Sequence, residues 1–235
     1  MTDGDNLQWT LGPWSVDTRW YGSPDRGKVP CGWTLSPAIA DLSPASLASI
    51  LESKTDNDEF IAGPSGFGYV YPTTWPRVQL DAFAEVTQMA MKKAGMPVCN
   101  ILGQNNDAPV CAEIDPLLTE NGAIFYPWGD GYAGLRGKVY FCGGKPVVSG
   151  RFSLWGDAKT GDMVDVDGLV ANLKAMPEAS VTSTGAYSLI PVHAWSHTYE
   201  DIVSVVEALQ EDGRFDVVTP SELLLRVKVN VKPGH

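Results

Sequence analysis

The stretch "DEFIAGPSGFGYVYPTTWPRVQLDAFAEVTQMAMKKAGM", residues 58–96, indicates how this chain folds. Residues 60–62 have the apolar pattern of a short strand, and a loop dense in glycine and aromatic residues follows at residues 63–76. From Val78 onward apolar residues recur at helical period, and Gly95 supplies a helix stop. A strand that leads through a loop into a helix is the repeating unit of α/β proteins.

The alternation of strand and helix patterns continues on both sides of this unit. Helices are predicted from Ser43-Pro44, near Asp165, in "TYEDIVSVVEALQED" and from Thr219-Pro220. Strands are predicted in "PVCNILGQN", "GAIFYPWGDGY", "YSLIPVHAWS" and "RFDVV", with either a hairpin across Gly143-Gly144 or two separate strands there. This order predicts an α/β fold with a parallel sheet, in a single domain over residues 1–235.

The composition is that of a globular protein whose net negative charge disfavours binding to polyanions. Hydrophobic residues make up 44% of the sequence, charged residues 19%, and the formal net charge is −11. Because no cluster of Lys and Arg is visible, nucleic acid and membrane are not expected partners. The sequence shows no run of 18 apolar residues and no secretory signal peptide. The four cysteines have no zinc-ligand spacing, so one or two disulfides and free buried thiols remain alternatives.

Loops rich in glycine, aromatic and acidic residues follow the predicted strands. Ligands of parallel α/β folds bind at the carboxyl ends of the strands, so these loops are expected around one cleft. The loops are "DGDN" (residues 3–6), residues 63–71, "YPWGDGY" (residues 126–132), "SLWGD" (residues 153–157) and "VHAWSH" (residues 192–197). Eight tryptophans are more than a chain of this length usually holds. Aromatic rings of this kind stack on apolar faces of ligands such as sugars.

Three other motifs lack the residues that their chemistry needs. Residues 63–68 have P-loop spacing, but Tyr69-Val70 replaces the Lys-Ser/Thr pair that binds phosphate and magnesium. His193 and His197 lie four residues apart, but Ala194 stands where a zinc protease has its Glu. The residues after Asp5 do not supply the ligands of an EF-hand.

The heptad "GFGYVYP", residues 66–72, resembles the signature of the GxGYxYP family of glycoside hydrolases. Further segments resemble the C-terminal domain of that family over nearly the whole chain: "TDGDNLQWTLG", "GWTLSPAIADLSP", "AGPSG" and "HAWSHTYEDIVSVVEAL…FDVVTPSELL". The resemblance implies a parallel (β/α) barrel-like fold, incomplete or irregular, similar to glycoside hydrolase and deacetylase barrels. It also implies a bacterial, exported protein that processes sugars.

A carbohydrate-active hydrolase is the leading functional hypothesis. Its catalytic candidates are Asp3, Asp5, Asp130 and His193, since glycoside hydrolysis needs two carboxylates about 5–10 Å apart. The substrate-binding candidates are Asn6, Ser65, Tyr69, Tyr71, Trp128, Arg151, Trp155, Trp195 and His197. Asp157, with Asp107 behind it, is an alternative second carboxylate. A non-catalytic carbohydrate-binding domain and a metal-dependent polysaccharide deacetylase are the alternatives.

The expected partner is a carbohydrate, with no resident cofactor. A divalent cation at Asp3 and Asp5 remains open, and in the deacetylase variant His193 or His197 would share it. Family members resembling this chain carry an N-terminal domain and a strand that leads into "DGDN", whereas only Met1 and Thr2 precede it here. We therefore expect one of three arrangements where this strand would lie. Either a further domain is present, or a homodimer forms, or the "RVKVNV" tail (residues 226–231) pairs there as an edge strand.

Overall fold

The chain forms a mixed α/β fold with three small sheets, and the computed structural model describes residues 1–2, 7–156 and 162–233. The strands are β1 (Cys31–Leu35), β2 (Asp58–Ala62), β3 (Asn100–Gly103), β4 (Ala123–Pro127), β5 (Val139–Cys142), β6 (Lys145–Ser149), β7 (Ser153–Leu154) and β8 (Met163–Val164). The helices are α1 (Leu7–Trp9), α2 (Ile39–Leu42), α3 (Pro44–Glu52), α4 (Arg77–Ala94), α5 (Cys111–Ile114), α6 (Val166–Lys174), α7 (Tyr199–Gln210) and α8 (Pro220–Asn230). A short π-helical segment, Thr10–Trp14, follows α1.

The strands pair mostly in parallel. β1 pairs with β2, and the larger sheet has the order β3-β4-β6-β5, in which only β5 runs antiparallel. β7 pairs with β8 in a third sheet. Single parallel bridges connect the sheets and their neighbours, at Ala62↔Cys99, Gly150↔Leu189, Leu154↔Val192 and Thr2↔Val192. The carboxyl ends of β2, β3 and β4 therefore point to the same side of the molecule.

The predicted parallel (β/α) barrel, even in an incomplete or irregular form, is wrong. Among the described residues the sheets have two to four strands, and no closed barrel is present. The segment "YSLIPVHAWS" makes only single bridges, at Leu189 and Val192, because Pro191 between them has no N–H to donate. The segment "RFDVV" is also not a strand. Gly143 and Gly144, both at positive φ, turn β5 back onto β6 as an antiparallel hairpin.

The helix signals of the sequence are confirmed. Helix α3 begins at Pro44 after Ser43, α4 ends at the left-handed Gly95, and α7 begins with a capping box between Thr198 and Asp201. Asp165 caps α6 by accepting a hydrogen bond from the backbone N–H of Gly168. Local side-chain and backbone chemistry thus decided where these helices begin and end.

The prediction that "RVKVNV" forms an edge strand is wrong, since these residues continue helix α8 to Asn230. Val227 and Val231 are buried while Val229 is 72% exposed, so the valines follow the helical period and not the alternation of a strand. The position beside β1 is taken instead by Thr2, whose N–H donates to the Gly32 carbonyl at 2.8 Å. No described helix is long and apolar enough to cross a membrane.

Alternate residues of the parallel strands feed two hydrophobic clusters. Trp33, Phe60 and Ile101 belong to the larger cluster, which packs against the helices, whereas Ile61 and Leu102 face a smaller one with α8. The larger cluster contains a group of rings that we call the tryptophan cluster: Trp9, Trp14, Trp20, Tyr21, Trp33 and Tyr199. Most of the described tryptophans at the amino-terminal end of the chain are therefore core residues.

The sequence left disulfides and free thiols as alternatives, and the described residues contain both: Cys111 and Cys142 form a disulfide. It joins α5 to the end of β5. Cys31 and Cys99 are buried free thiols, and burial raises the pKa of each to about 12. These two thiols are therefore protonated and unreactive at neutral pH.

Candidate functional site

A continuous line of aromatic rings, which we call the ring run, crosses the loops that follow β2, β4 and β7 and the segment that follows Val192. Its members, in spatial order, are Tyr69, Tyr71, Trp128, Tyr132, Trp155 and His193. Successive ring centroids lie 6.4, 6.2, 6.0, 5.4 and 3.8 Å apart. Five of the six rings were expected at the site from the sequence. The structure brings these five together, although they come from four loops far apart in the chain.

The loop after β2 places two tyrosines at one end of the ring run. Gly66 has φ +100°, and a Cβ there would lie 2.3 Å from Thr87 Cγ2 of helix α4, so only glycine fits without strain. The Thr87 hydroxyl accepts the Phe67 N–H at 3.1 Å. Gly68, in contrast, has free space around its Cα. The loop therefore requires glycine at Gly66 but not at Gly68.

Ser65 is completely buried, and its side chain stabilises this loop from inside the fold. Its hydroxyl accepts the Leu102 N–H at 2.8 Å and donates to the Val70 carbonyl at 2.9 Å. It thereby ties the loop after β2 to strand β3. Contact with a ligand, which we predicted for Ser65, is not supported by this position.

Asp130 lies in the loop after β4, between two rings of the ring run. Gly129 at φ +141° and Asp130 itself at φ +43° turn the chain sharply after Trp128. Asn106, from the loop after β3, donates its side-chain N–H to the Asp130 carboxylate at 2.8 Å. Trp128 of the same loop is 49% and Tyr69 45% exposed, so both side chains are accessible to a ligand.

His193 closes the other end of the ring run. Its imidazole stacks on Trp155 with an interplanar angle of 14°, and its Nδ1 lies 2.7 Å from the Ser196 hydroxyl. Partial burial, with a smaller contribution from the nearby His197, lowers the pKa of His193 to about 4. At neutral pH His193 is therefore an uncharged imidazole that accepts or donates one hydrogen bond at each nitrogen.

His197 is oriented by a carboxylate. Its Nδ1 lies 3.1 Å from an oxygen of Asp201, the acidic member of the α7 capping box. Its Nε2 is buried and has no hydrogen-bond partner in the described part of the chain. A carboxylate that orients a histidine in this way is typical of imidazoles that bind a metal ion. Among the described residues, however, no group of three His, Cys, Asp or Glu side chains could hold a metal ion.

The remaining predicted site residues lie outside the ring run. Trp195 is 58% exposed and touches Trp9 of the tryptophan cluster, with centroids 5.4 Å apart. Arg151 is half-buried and donates to the Tyr187 carbonyl at 3.1 Å, and desolvation lowers its pKa. Nothing in the described chain connects Arg151 with the ring run. Asp3, Asp5, Asn6 and Asp157 lie outside the described residues.

Four residues of the site were not predicted: Asn106, Tyr132, Ser196 and Asp201. Tyr132 stands in the quoted loop "YPWGDGY" and could have been included as another ring of the same loop. Ser196 and Asp201 lie three and four residues beyond the two histidines, a spacing that becomes informative only once a turn is known there. The contact between Asn106 and Asp130 joins two loops that only the folded chain brings together, and no local sequence pattern predicts it.

Comparisons with known proteins agree with the resemblance drawn from the sequence motifs. The model of the GxGYxYP putative glycoside hydrolase C-terminal domain matches residues 1–228. The chain is also similar to a putative hydrolase from Bacteroides thetaiotaomicron of known crystal structure, with 25% identity and a TM-score of 0.81. That match covers 99% of this chain but only 44% of the hydrolase. A search among curated proteins found no match. This chain therefore belongs to the GxGYxYP family, as its glycoside hydrolase-type C-terminal domain.

Proposed function

We propose that this chain binds and hydrolyses a glycan along the ring run. The observation that carries the proposal is the line of six rings from Tyr69 to His193, with exposed faces at Tyr69 and Trp128. Exposed aromatic faces next to hydrogen-bonding groups suit sugar rings, which have apolar faces and hydroxyl edges. The family description supports the same class of reaction.

Asp130 is the proposed acid/base residue in the described part of the site. The Asn106 amide orients its carboxylate, and Asp130 lies between Trp128 and Tyr132 in the sequence of the same loop. His193, neutral at pH 7, is the proposed proton partner at the other end of the run. The second carboxylate that glycoside hydrolysis requires is assigned to Asp3 or Asp5 of "DGDN", which remains a prediction from the sequence.

A hydrolysis screen on a panel of fluorescently labelled oligosaccharides tests this function. We expect the wild-type chain to shorten at least one glycan and Asp130→Asn to do so about 100-fold more slowly, a typical loss for an acid/base group. Asp167→Asn, which changes an exposed carboxylate in the first turn of α6, is the matched control and should keep full activity. Equal rates for Asp130→Asn and wild type would remove Asp130 from the mechanism.

A non-catalytic carbohydrate-binding domain is the second candidate, and one observation favours it. In the described parts of the loops that carry the ring run, the only carboxylates are Asp130 and Asp162, and Asp162 is already ion-paired with Arg136 at 3.1 Å. Such a domain would retain glycans on an affinity gel without cleaving any member of the panel. Retention that disappears in Trp128→Ala and persists in Asp130→Asn would favour binding over hydrolysis.

The metal-dependent deacetylase is favoured by the buried, unpartnered Nε2 of His197 beside His193. His197, His193 and the sequence candidates Asp3 and Asp5 would hold the cation, which would polarise the acetyl group and its attacking water. Release of acetate from an acetylated oligosaccharide, abolished by EDTA and restored by added Zn²⁺, would identify this reaction. Cleavage of a glycosidic bond that is insensitive to EDTA would exclude it.

A further inference from the structure

Helix α4 has an apolar stripe on its outer face that no described part of the chain covers. The stripe consists of Val78, Ala82, Val86 and Met89, which lie on one side of the helix because of its 3.6-residue period. Val78 is 82%, Val86 40% and Met89 53% exposed, and Ala82 is exposed as well. Monomeric proteins seldom expose a contiguous apolar surface of this kind, so the stripe indicates an interaction surface.

Two short segments border the stripe and leave its centre open. On one side, Lys93 of α4 donates to the Asp41 carboxylate of α2 at 2.7 Å, and the next residue of α2, Leu42, is 65% exposed. On the other side, the Gln88 amide donates to the Pro116 carbonyl at 2.8 Å. The stripe is therefore accessible between these segments, and Leu42 adds to the exposed apolar surface beside it.

Two charged side chains along one edge of the stripe lack a counter-ion. Glu85 and Lys92 are exposed, and neither forms an ion pair within the described part of the chain. They lie seven residues apart on the same helix, which separates them by about 10 Å along the axis, so they do not pair with each other. Each is therefore available to an opposite charge from outside the chain.

A second copy of the chain complements both features when its α4 lies antiparallel on the first. A two-fold axis between the helices places Val86 against Met89 of the second copy and, by symmetry, Met89 against its Val86. In this register Glu85 of each copy comes within about one helical turn of Lys92 of the other, along the same edge. A parallel pair would instead bring Lys92 beside Lys93 of the second copy, so the charges favour the antiparallel arrangement.

We infer that this chain forms a two-fold symmetric dimer through the outer face of α4, with a second copy of itself as the partner. Each copy contributes one helix face and Leu42, so the interface is small and the dimer is weak and concentration-dependent. The inference goes beyond the proposed glycan hydrolysis and does not rest on it, because no residue of the ring run belongs to α4.

Sedimentation velocity at increasing concentrations of the chain tests the inference. We expect a monomer–dimer equilibrium with a dissociation constant on the order of 10–100 μM. Val86→Asp places a charge in the centre of the stripe and should weaken the dimer at least about tenfold, because that charge loses water in the interface. Val229→Asp is the matched control, since Val229 is a 72% exposed valine of α8, and it should leave the equilibrium unchanged. Circular dichroism checks that both variants fold.

An exchange of charges tests the antiparallel register. Glu85→Lys and Lys92→Glu each bring like charges together and should each weaken the dimer, whereas the double variant should restore it. Because the two residues do not touch within one chain, restoration reports a contact between copies. A chain that stays monomeric at about 0.5 mM, well above the expected dissociation constant, would overturn the inference. A dimer that Val86→Asp leaves unchanged, or that the double variant fails to restore, would overturn it as well.

Discussion

The tryptophan cluster and the ring run are built from the same residue types but differ in what surrounds them. Trp14 and Trp33 of the cluster are 0% exposed and touch other rings on several sides. Trp128 of the ring run is 49% exposed and, among the described aromatic rings, touches only Tyr71 and Tyr132. The cluster fills the space between a sheet and its helices, whereas the ring run lies on loops at the ends of strands.

A high density of aromatic residues in the sequence is therefore not sufficient to identify a ligand site. Trp33 stands on β1, and its Nε1 donates to the buried Asp58 carboxylate at 2.7 Å, so even its polar atom is used inside the fold. In the ring run, by contrast, Tyr69 and Trp128 are exposed, and Trp128 shares its loop with the carboxylate of Asp130. Trp195 combines features of both regions, because it is 58% exposed and yet packs on Trp9.

The largest effect is expected in the tryptophan cluster. Trp33→Ala should lower the free energy of unfolding by about 3–5 kcal/mol, since it leaves a cavity and removes the donor to Asp58. Urea denaturation followed by circular dichroism measures the loss. A decrease in the free energy of unfolding below about 1 kcal/mol would contradict the central place of Trp33 in the core.

A smaller loss is expected at the loop that carries Tyr69 and Tyr71. Gly66→Ala should cost about 1–3 kcal/mol, because φ is +100° and the new Cβ meets Thr87. Gly68→Ala is the matched control and should change stability by less than about 0.5 kcal/mol, since its surroundings are open. Equal melting temperatures for the two variants would contradict this account of the loop.

The ring run itself should contribute little to stability and much to binding. Trp128→Ala should change the free energy of unfolding by less than about 1 kcal/mol, because half of the side chain is exposed. It should weaken glycan retention on an affinity gel at least tenfold, equivalent to about 1.4 kcal/mol. Trp75→Ala is the control, since Trp75 packs on Phe83 and not in the ring run. Loss of retention in both variants would argue against a specific ring surface.

The smallest effect concerns the acid sensitivity of the ring run. The pKa of His193 falls from its ordinary value of 6.5 to about 4 in the folded chain, so the unfolded chain binds more protons between these values. His193 therefore favours folding fully above pH 6.5, and this contribution is lost as pH falls toward 4. His193→Gln should flatten the melting temperature between pH 6.5 and 4. An unchanged slope would show that His193 is not desolvated by Trp155.

The sequence allowed the prediction of elements whose signals are local. Ser43-Pro44, Gly95 and Thr219-Pro220 mark helix ends because capping depends on groups within a few residues of each other. Strand β1, with its run "CGWTL", was not recognised, and "YSLIPVHAWS" was taken for a strand that it does not form. A strand needs partners elsewhere in the chain, and neither the partner nor the effect of Pro191 on pairing is visible locally.

Sequence motifs identified the family, and capping signals and periodicity identified helices α3, α4, α6, α7 and α8. Only the tertiary structure decided that the strands form three small sheets and no barrel, and that Trp33 is core while Trp128 is exposed. It also decided that Ser65 supports a loop from inside and that Asn106 orients Asp130. The physical reason is the range of the interactions. Capping and periodicity act within one or two turns of chain, whereas burial and strand pairing depend on contacts between residues far apart in sequence.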